Sequence, residues 1–276
     1  MRIMHVVGNR PQFIKLAPVS REIRKRGHEE IIIHTGQHFD DNMSDVFFEE
    51  MQIPKPDDNL HVSGGGHAEM TAGMMVAIEP VFLKYKPDMV FVYGDTNSTL
   101  AAALTARKLG INVAHIEAGG RTGVEANPEE INRKCVDHIS SILFVPDRRA
   151  LDNLKKENLE DRAFFSGDVM YDSYLFCQKE ALSNHKYEIK GLPDKFVLMT
   201  WHHQENTDDA TSMLSIINLI KEIDLPIVCP MHPRTKKMLK RFGLWDEVSN
   251  LPQFIIMDPV GYMEIINLMN RSEWIL

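Results

Sequence analysis

Short apolar runs alternate with longer amphipathic stretches along most of the chain. "RIMHVV" (2–7) is followed by an amphipathic stretch over 11–25, "EIIIH" (30–34) by one over 44–51, "DMVFVY" (88–93) by one over 97–109, and "NVAHIE" (112–117) by one over 128–140. A strand that is apolar at nearly every position has both faces covered, and strands that alternate with helices build a parallel sheet. The rhythm continues through "SILFV" and "AFFS" and breaks at the polar, Gly- and Pro-bearing "SNHKYEIKGLPDK" (183–195). It then resumes with "FVLMT", "PIVCPM", "QFIIM" and "WIL". The pattern predicts an α/β protein with two parallel-sheet units, the second starting between about 168 and 195.

Composition supports that reading and narrows the partners. With 276 residues, 43% hydrophobic and 25% charged, the chain can bury the cores of two domains. No stretch approaches the ~18 uninterrupted apolar residues of a membrane span, and "MRIMHVVGNRPQ" lacks the apolar run of a secretory leader. A cytoplasmic protein without a membrane partner is expected. Cys135, Cys177 and Cys229 are an odd number without metal-ligand spacing, which speaks against a disulfide framework or a zinc site. They are expected to be reduced and structural. A net charge of -8 argues against nucleic acid as a partner, while a local cluster of Lys and Arg can still hold a small anion.

In parallel sheets ligands bind beyond the carboxyl ends of the strands, so the residues after each apolar run are the candidates. Those segments read "GNRPQFIK", "HTGQH", "YGDTNST" and "HIEAGGRT" in the first unit, then "TWHHQEN", "MHPRTKK" and "DPVGY" in the second. Arg10 and Lys15 lie in the first turns of a helix, where free N–H groups and the helix dipole favour an anion such as a diphosphate. "GNRPQF" does not match the glycine fingerprint of dinucleotide folds, which argues against a nicotinamide enzyme. Asp95 has helix capping as its competing role, with Thr96 and Asn97 as rival caps. Glu117 ends a buried strand, a costly place for a carboxylate that is neither paired nor used. Glu129 and Glu130 open a helix, where acidic residues ordinarily complement the dipole. Carboxylates converging on one sheet edge repel one another, and general acid and base work is the natural use of such crowding. His202, His232, Arg234 and Lys236 sit at strand ends of the second unit. They read as a cationic wall facing those carboxylates across a cleft, with no cluster tight enough for a metal.

Together "VVGNRPQFIKLAPV", "HTGQHFDDNMSDVFF", "YGDTNSTLAAALTA", "HIEAGGRT", "PEEINR" and "MHPRT" resemble the non-hydrolysing UDP-N-acetylglucosamine 2-epimerase family. The resemblance covers essentially the whole chain. It implies two Rossmann-like parallel-sheet domains of the glycosyltransferase-B type, here 1–170 and 171–276, acting on a UDP-sugar as a homodimer without a cofactor. It also implies C2 epimerisation by elimination and re-addition of UDP. Asp95, Glu117 and Glu129 match the acid/base positions, with His202 a further candidate, and Arg10, Lys15, His232 and Arg234 match the substrate contacts.

Three departures stand out. The family's "HRREN" is His202, His203, Gln204, Glu205 and Asn206 here, so two arginines are replaced. Gln37 and His38 match part of a regulatory UDP-sugar site, whereas "DDNMSD" and "SGGGHAEM" do not. The family's strand matching "EWIL" runs on into a uridine-binding loop close to T-D-S-G-G-x-Q-E-E, so an incomplete second domain is expected. A glycosyltransferase of the same fold and a non-catalytic or split nucleotide-sugar binder are the competing readings; the clustered carboxylates count against the former.

Overall fold

The computed structural model describes residues 1–37 and 48–276, and the chain divides into two compact units, Met1–Leu175 and Phe176–Leu276. In the first unit seven parallel strands form one sheet. They are β1 (Arg2–Val7), β2 (Glu29–His34), β3 (Asp58–Asn59), β4 (Met89–Tyr93), β5 (Asn112–Ile116), β6 (Ile142–Val145) and β7 (Ala163–Phe165), in the spatial order β3-β2-β1-β4-β5-β6-β7. The intervening helices are α1 (Arg10–Lys25), α2 (His67–Tyr85), α3 (Asn97–Lys108), α4 (Pro128–Ile139) and α5 (Arg148–Lys156). Helix α6 (Val169–Ser183) follows, and the division between the units falls inside it.

The continuous apolar runs become strands covered on both faces. On one face Met4, Val6, Ile31, Ile33, Val90, Val92 and Val113 pack against Ile78 and Phe82 of α2, Ala102 and Ala106 of α3, and Val136 of α4. Each of the Met, Val, Ile and Phe side chains contributes about 1.5–3 kcal/mol of burial free energy. Helix starts follow capping chemistry: Asn9 accepts from the Gln12 N–H at 3.2 Å, and Asn127 accepts from the Glu129 N–H at 3.0 Å just before Pro128.

The second unit has four parallel strands, β8 (Val197–Leu198), β9 (Ile227–Pro230), β10 (Phe254–Met257) and β11 (Trp274–Ile275), in the order β10-β9-β8-β11. Its helices are α7 (Gln204–Thr207), α8 (Ala210–Glu222), α9 (Pro233–Arg241), α10 (Trp245–Ser249) and α11 (Tyr262–Arg271). Val197, Ile227, Cys229 and Phe254 form a core with Met213, Ile217 and Ile220 of α8 and Leu239 of α9.

The polar break at 183–195 contains a single 3-10 turn, His185–Tyr187, and no strand. Of the helix expected over 44–51, residues 44–47 lie outside the described residues, as do His38 and "DDNMSD", while 48–50 are helical. The 19-residue α2 and the two-residue β3 are elements that the hydrophobic rhythm did not announce. None of the three cysteines is in a disulfide; Cys177 and Cys229 are buried, and burial pushes the Cys229 thiol up to about 12. Cys135 is exposed on α4, so the expected structural role does not extend to it.

Candidate active site

The strand order of the first sheet reverses between β1 and β4, and a sheet of this kind opens a crevice at that point. The loop after β1 is drawn against the loop after β4 by Gln12. Its Oε1 accepts from the Gly8 N–H at 2.7 Å, and its Nε2 donates to the Tyr93 carbonyl at 2.8 Å and to Thr96 Oγ1 at 3.0 Å. Gly8 has no room for a side chain, since a Cβ there would lie 2.6 Å from Ser98 Oγ. Arg10 is the first residue of α1 and is exposed.

Lys15, one turn further along α1, is buried and ion-paired with Glu117, which follows β5. Glu117 adopts φ 71°, a left-handed backbone that only a few per cent of non-glycine residues show and that persists where the surroundings enforce it. The Lys15 ammonium also lies against Gly94, where an added Cβ would approach Nζ to 3.1 Å. Because β4 and β5 end in register at Tyr93 and Ile116, the loops carrying Asp95 and Glu117 leave the sheet side by side.

Asp95 does not cap α3. Thr96 does so, accepting from the Thr99 N–H at 3.3 Å, and the Asp95 carboxylate instead forms an ion pair with Arg133 of α4. Asn132 donates to the Asp95 carbonyl at 2.8 Å. Arg133 also reaches Glu130 at 3.1 Å. Glu129 is exposed at the start of α4, whereas Glu130 is buried and accepts from the Thr122 N–H at 2.9 Å and Thr122 Oγ1 at 3.1 Å. Burial works against charge on Glu130, but those bonds and Arg133 hold its carboxyl below the usual range. Of the two helix-start carboxylates, then, one anchors the loop and the other faces solvent. Lys15 and Arg133 each balance a candidate carboxylate, so the repulsive crowding expected from sequence is compensated pair by pair.

Sequence reasoning did not single out Arg133 or Gln12. The "EEINR" spacing was the available signal, since residues three apart on a helix share a face and put Arg133 beside Glu130.

In the second unit His202 is exposed, stacks on His203 at 4.8 Å and lies 6.2 Å from His232. Burial, then the neighbouring His203 and His232, lower the His202 pKa. His232 caps α9, its Nδ1 accepting from the Arg234 N–H at 3.2 Å. Arg234 is ion-paired with Asp208. Among the described residues no group of three or more His, Cys, Asp or Glu is placed to hold a metal ion, and no helix is long and apolar enough to cross a membrane.

Two Rossmann-like parallel-sheet units, one with charge-balanced carboxylates after its strands and the other with imidazoles and cations at strand ends, define a glycosyltransferase-B-like α/β protein. The family model of UDP-N-acetylglucosamine 2-epimerase matches residues 21–276. The chain is 48% identical to a UDP-N-acetylglucosamine 2-epimerase homolog of Methanococcus maripaludis, over 100% of this chain and 78% of that protein. It is 49% identical to the UDP-2,3-diacetamido-2,3-dideoxy-D-glucuronate 2-epimerase of Pseudomonas aeruginosa, over 100% of this chain and 77% of that one. A crystal structure of Methanocaldococcus jannaschii UDP-GlcNAc 2-epimerase in complex with UDP-GlcNAc and UDP matches with a TM-score of 0.90 at 42% identity, covering 100% of this chain and 78% of that one. The chain belongs to the UDP-N-acetylglucosamine 2-epimerase family.

Proposed function

We propose that the chain inverts C2 of a UDP-2-acetamido sugar, interconverting UDP-N-acetylglucosamine and UDP-N-acetylmannosamine. The C2 hydrogen of such a sugar is not next to a carbonyl, so a base alone cannot remove it at a useful rate. Elimination provides the route: a base takes the C2 proton, the C–H electron pair becomes the C1=C2 bond, and the C1–O pair leaves with UDP. Re-addition joins a UDP oxygen to C1 and returns a proton to the other face of C2, with no net redox change.

The observation that carries this reading is the Lys15–Glu117 pair at the switch point, held on left-handed backbone beside the Asp95 loop. Asp95, Glu117 and Glu129 take the acid/base work, with His202 as a further proton donor or acceptor. Arg10, His232 and Arg234 bind the departing diphosphate, where cations stabilise the developing charge. Lys15 faces Glu117, so its part is to balance that carboxylate as well as to meet substrate.

The Pseudomonas relative, as similar as the archaeal one, supports a second sugar for the same chemistry, UDP-2,3-diacetamido-2,3-dideoxy-D-glucuronate. Incubation with each sugar in heavy water, followed by mass spectrometry, reads deuterium at C2. Exchange is expected with at least one of them, and Asp95→Asn or Glu117→Gln should lower its rate by about 10²-fold or more. No exchange with either sugar overturns the function, and near-normal exchange in a variant overturns that residue's role. We also propose that the enzyme acts in the cytoplasm as a homodimer. A sedimentation experiment that finds only a 31.6 kDa species refutes the dimer.

A further inference from the structure

Behind the Asp95 and Glu117 loops lies a buried chain of charges that none of the chemistry above uses. His115, two residues before Glu117 on β5, is fully buried, with Nε2 2.7 Å from the Gly94 carbonyl and Nδ1 2.7 Å from Asp137 Oδ1. The Gly94 carbonyl can only accept, so Nε2 donates to it, and Nδ1 is paired with the Asp137 carboxyl. Asp137, fully buried on α4, receives two further donors on Oδ2: the Gly119 N–H at 3.1 Å and Arg121 Nη1 at 2.8 Å. Arg121 in turn forks onto Glu157 just past α5, at 2.8 and 2.7 Å. Gly94 immediately precedes Asp95, and Gly119 follows Glu117 by two residues. One imidazole–carboxylate pair therefore holds the backbone on both sides of the candidate acid/base groups.

We infer that His115 and Asp137 are positioning residues that fix the Asp95 loop relative to the Glu117 loop. Proton removal and return at one carbon need two groups held in register, and a misplacement of about 1 Å can cost about 10²-fold in rate. The left-handed conformation of Glu117 persists only where its surroundings over-determine it, and the Gly119 N–H bond to Asp137 is one of the restraints that do so. The inference rests on the epimerase reading for its kinetic consequence, and on geometry alone for the mechanical one.

Both consequences are measurable with Asp137→Asn, with His115→Gln as the second variant if the first does not fold, and with Glu157→Gln at the outer end of the same chain. In the folded positioning variant, kcat for C2 exchange is expected to fall by about 10²-fold, with KM staying within about threefold. Glu157→Gln is expected to lower the melting temperature while keeping kcat within about twofold, because it meets only the Arg121 guanidinium further along the Glu117 loop and leaves the bonds at Gly94 and Gly119 in place. A positioning variant that keeps kcat within about threefold, or a Glu157→Gln protein that loses as much activity, overturns the inference. Amide hydrogen exchange followed by NMR tests it without any substrate. Asp137→Asn is expected to speed exchange at Gly119 and also at Gly94, whose N–H donates to the Ile116 carbonyl at 3.0 Å. Faster exchange at Gly119 with Gly94 as protected as in the unaltered protein shows that the loops are uncoupled, and the inference falls whatever the reaction. Absence of C2 exchange in the unaltered protein bears on the function alone.

Discussion

At the scale of single residues, the structure decides between roles that the sequence left open. Asp95, Thr96 and Asn97 all suit a helix cap; in the fold Thr96 takes it, which frees Asp95 for Arg133. Glu129 and Glu130 are chemically identical in sequence, but helix phase buries one and exposes the other. Lys15 illustrates the consequence for charge. Lys15→Met keeps most of the buried length and removes the cation beside Glu117, so kcat/KM for C2 exchange should fall by about 10²-fold or more; an unchanged value would separate Lys15 from the chemistry. His202 gives a titration with a definite sign. Burial, His203 and His232 all disfavour its cation, so its pKa lies below the ordinary imidazole value of 6.5. Replacing His203 by Ala removes a neighbouring charge and uncovers the ring. Both changes should raise the His202 pKa towards 6.5, read from the imidazole proton shifts; a further fall would contradict this account.

Among elements, legibility followed burial. Strands β1, β2, β4 and β5 are apolar on both faces and stand out as runs, whereas β3 pairs through two polar residues, Asp58 and Asn59, and carries no such signal. Helix α2 is rich in Met, Ala and Val on every side and has Gly73 and Pro80 inside it, so no polar face marks its period. The loop from β5 to α4 was legible as a site because of "EAGGRT", but the reason for Gly119 is a packing one. Gly119 has φ 84°, and an added Cβ would lie 2.5 Å from the Ala150 carbonyl oxygen of α5. The side-chain amide of Asn153 on α5 donates to the Gly119 carbonyl at 3.0 Å, which ties the loop to the helix. Gly119→Ala is therefore expected to cost about 2 kcal/mol or more, through the left-handed backbone and the collision together. Urea unfolding followed by circular dichroism checks this, and a loss under about 0.5 kcal/mol would mean that the loop relaxes freely.

For the whole molecule, buried titratable groups set how acid unfolds it, and they are concentrated in the first unit. His5 is fully buried, with Nδ1 2.7 Å from the Tyr93 hydroxyl and Nε2 3.2 Å from Glu30. Burial outweighs the pull of Glu30 and holds its pKa below 6.5. Below 6.5 the unfolded chain thus binds a proton that the folded chain refuses, and stability falls as pH falls towards the folded value. Asp137 shows the same sign in a lower window. Burial opposes its charge, but His115 and Arg121 hold its pKa below 3.8, so its contribution is present above 3.8 and is lost as pH drops through the folded value. Glu130 adds to that lower step, its carboxyl lying below 4.5. All three tryptophans, Trp201, Trp245 and Trp274, belong to the second unit, so indole fluorescence follows that unit while far-UV circular dichroism follows both. On lowering the pH from 7.5, the urea midpoint by circular dichroism should decline in two steps, starting near pH 6.5 and again below about 4, ahead of the midpoint by fluorescence. His5→Gln should remove the first step and Asp137→Asn should flatten the second. Coincidence of the two probes at every pH would show instead that the units unfold as one, with the buried charges of the first unit governing both.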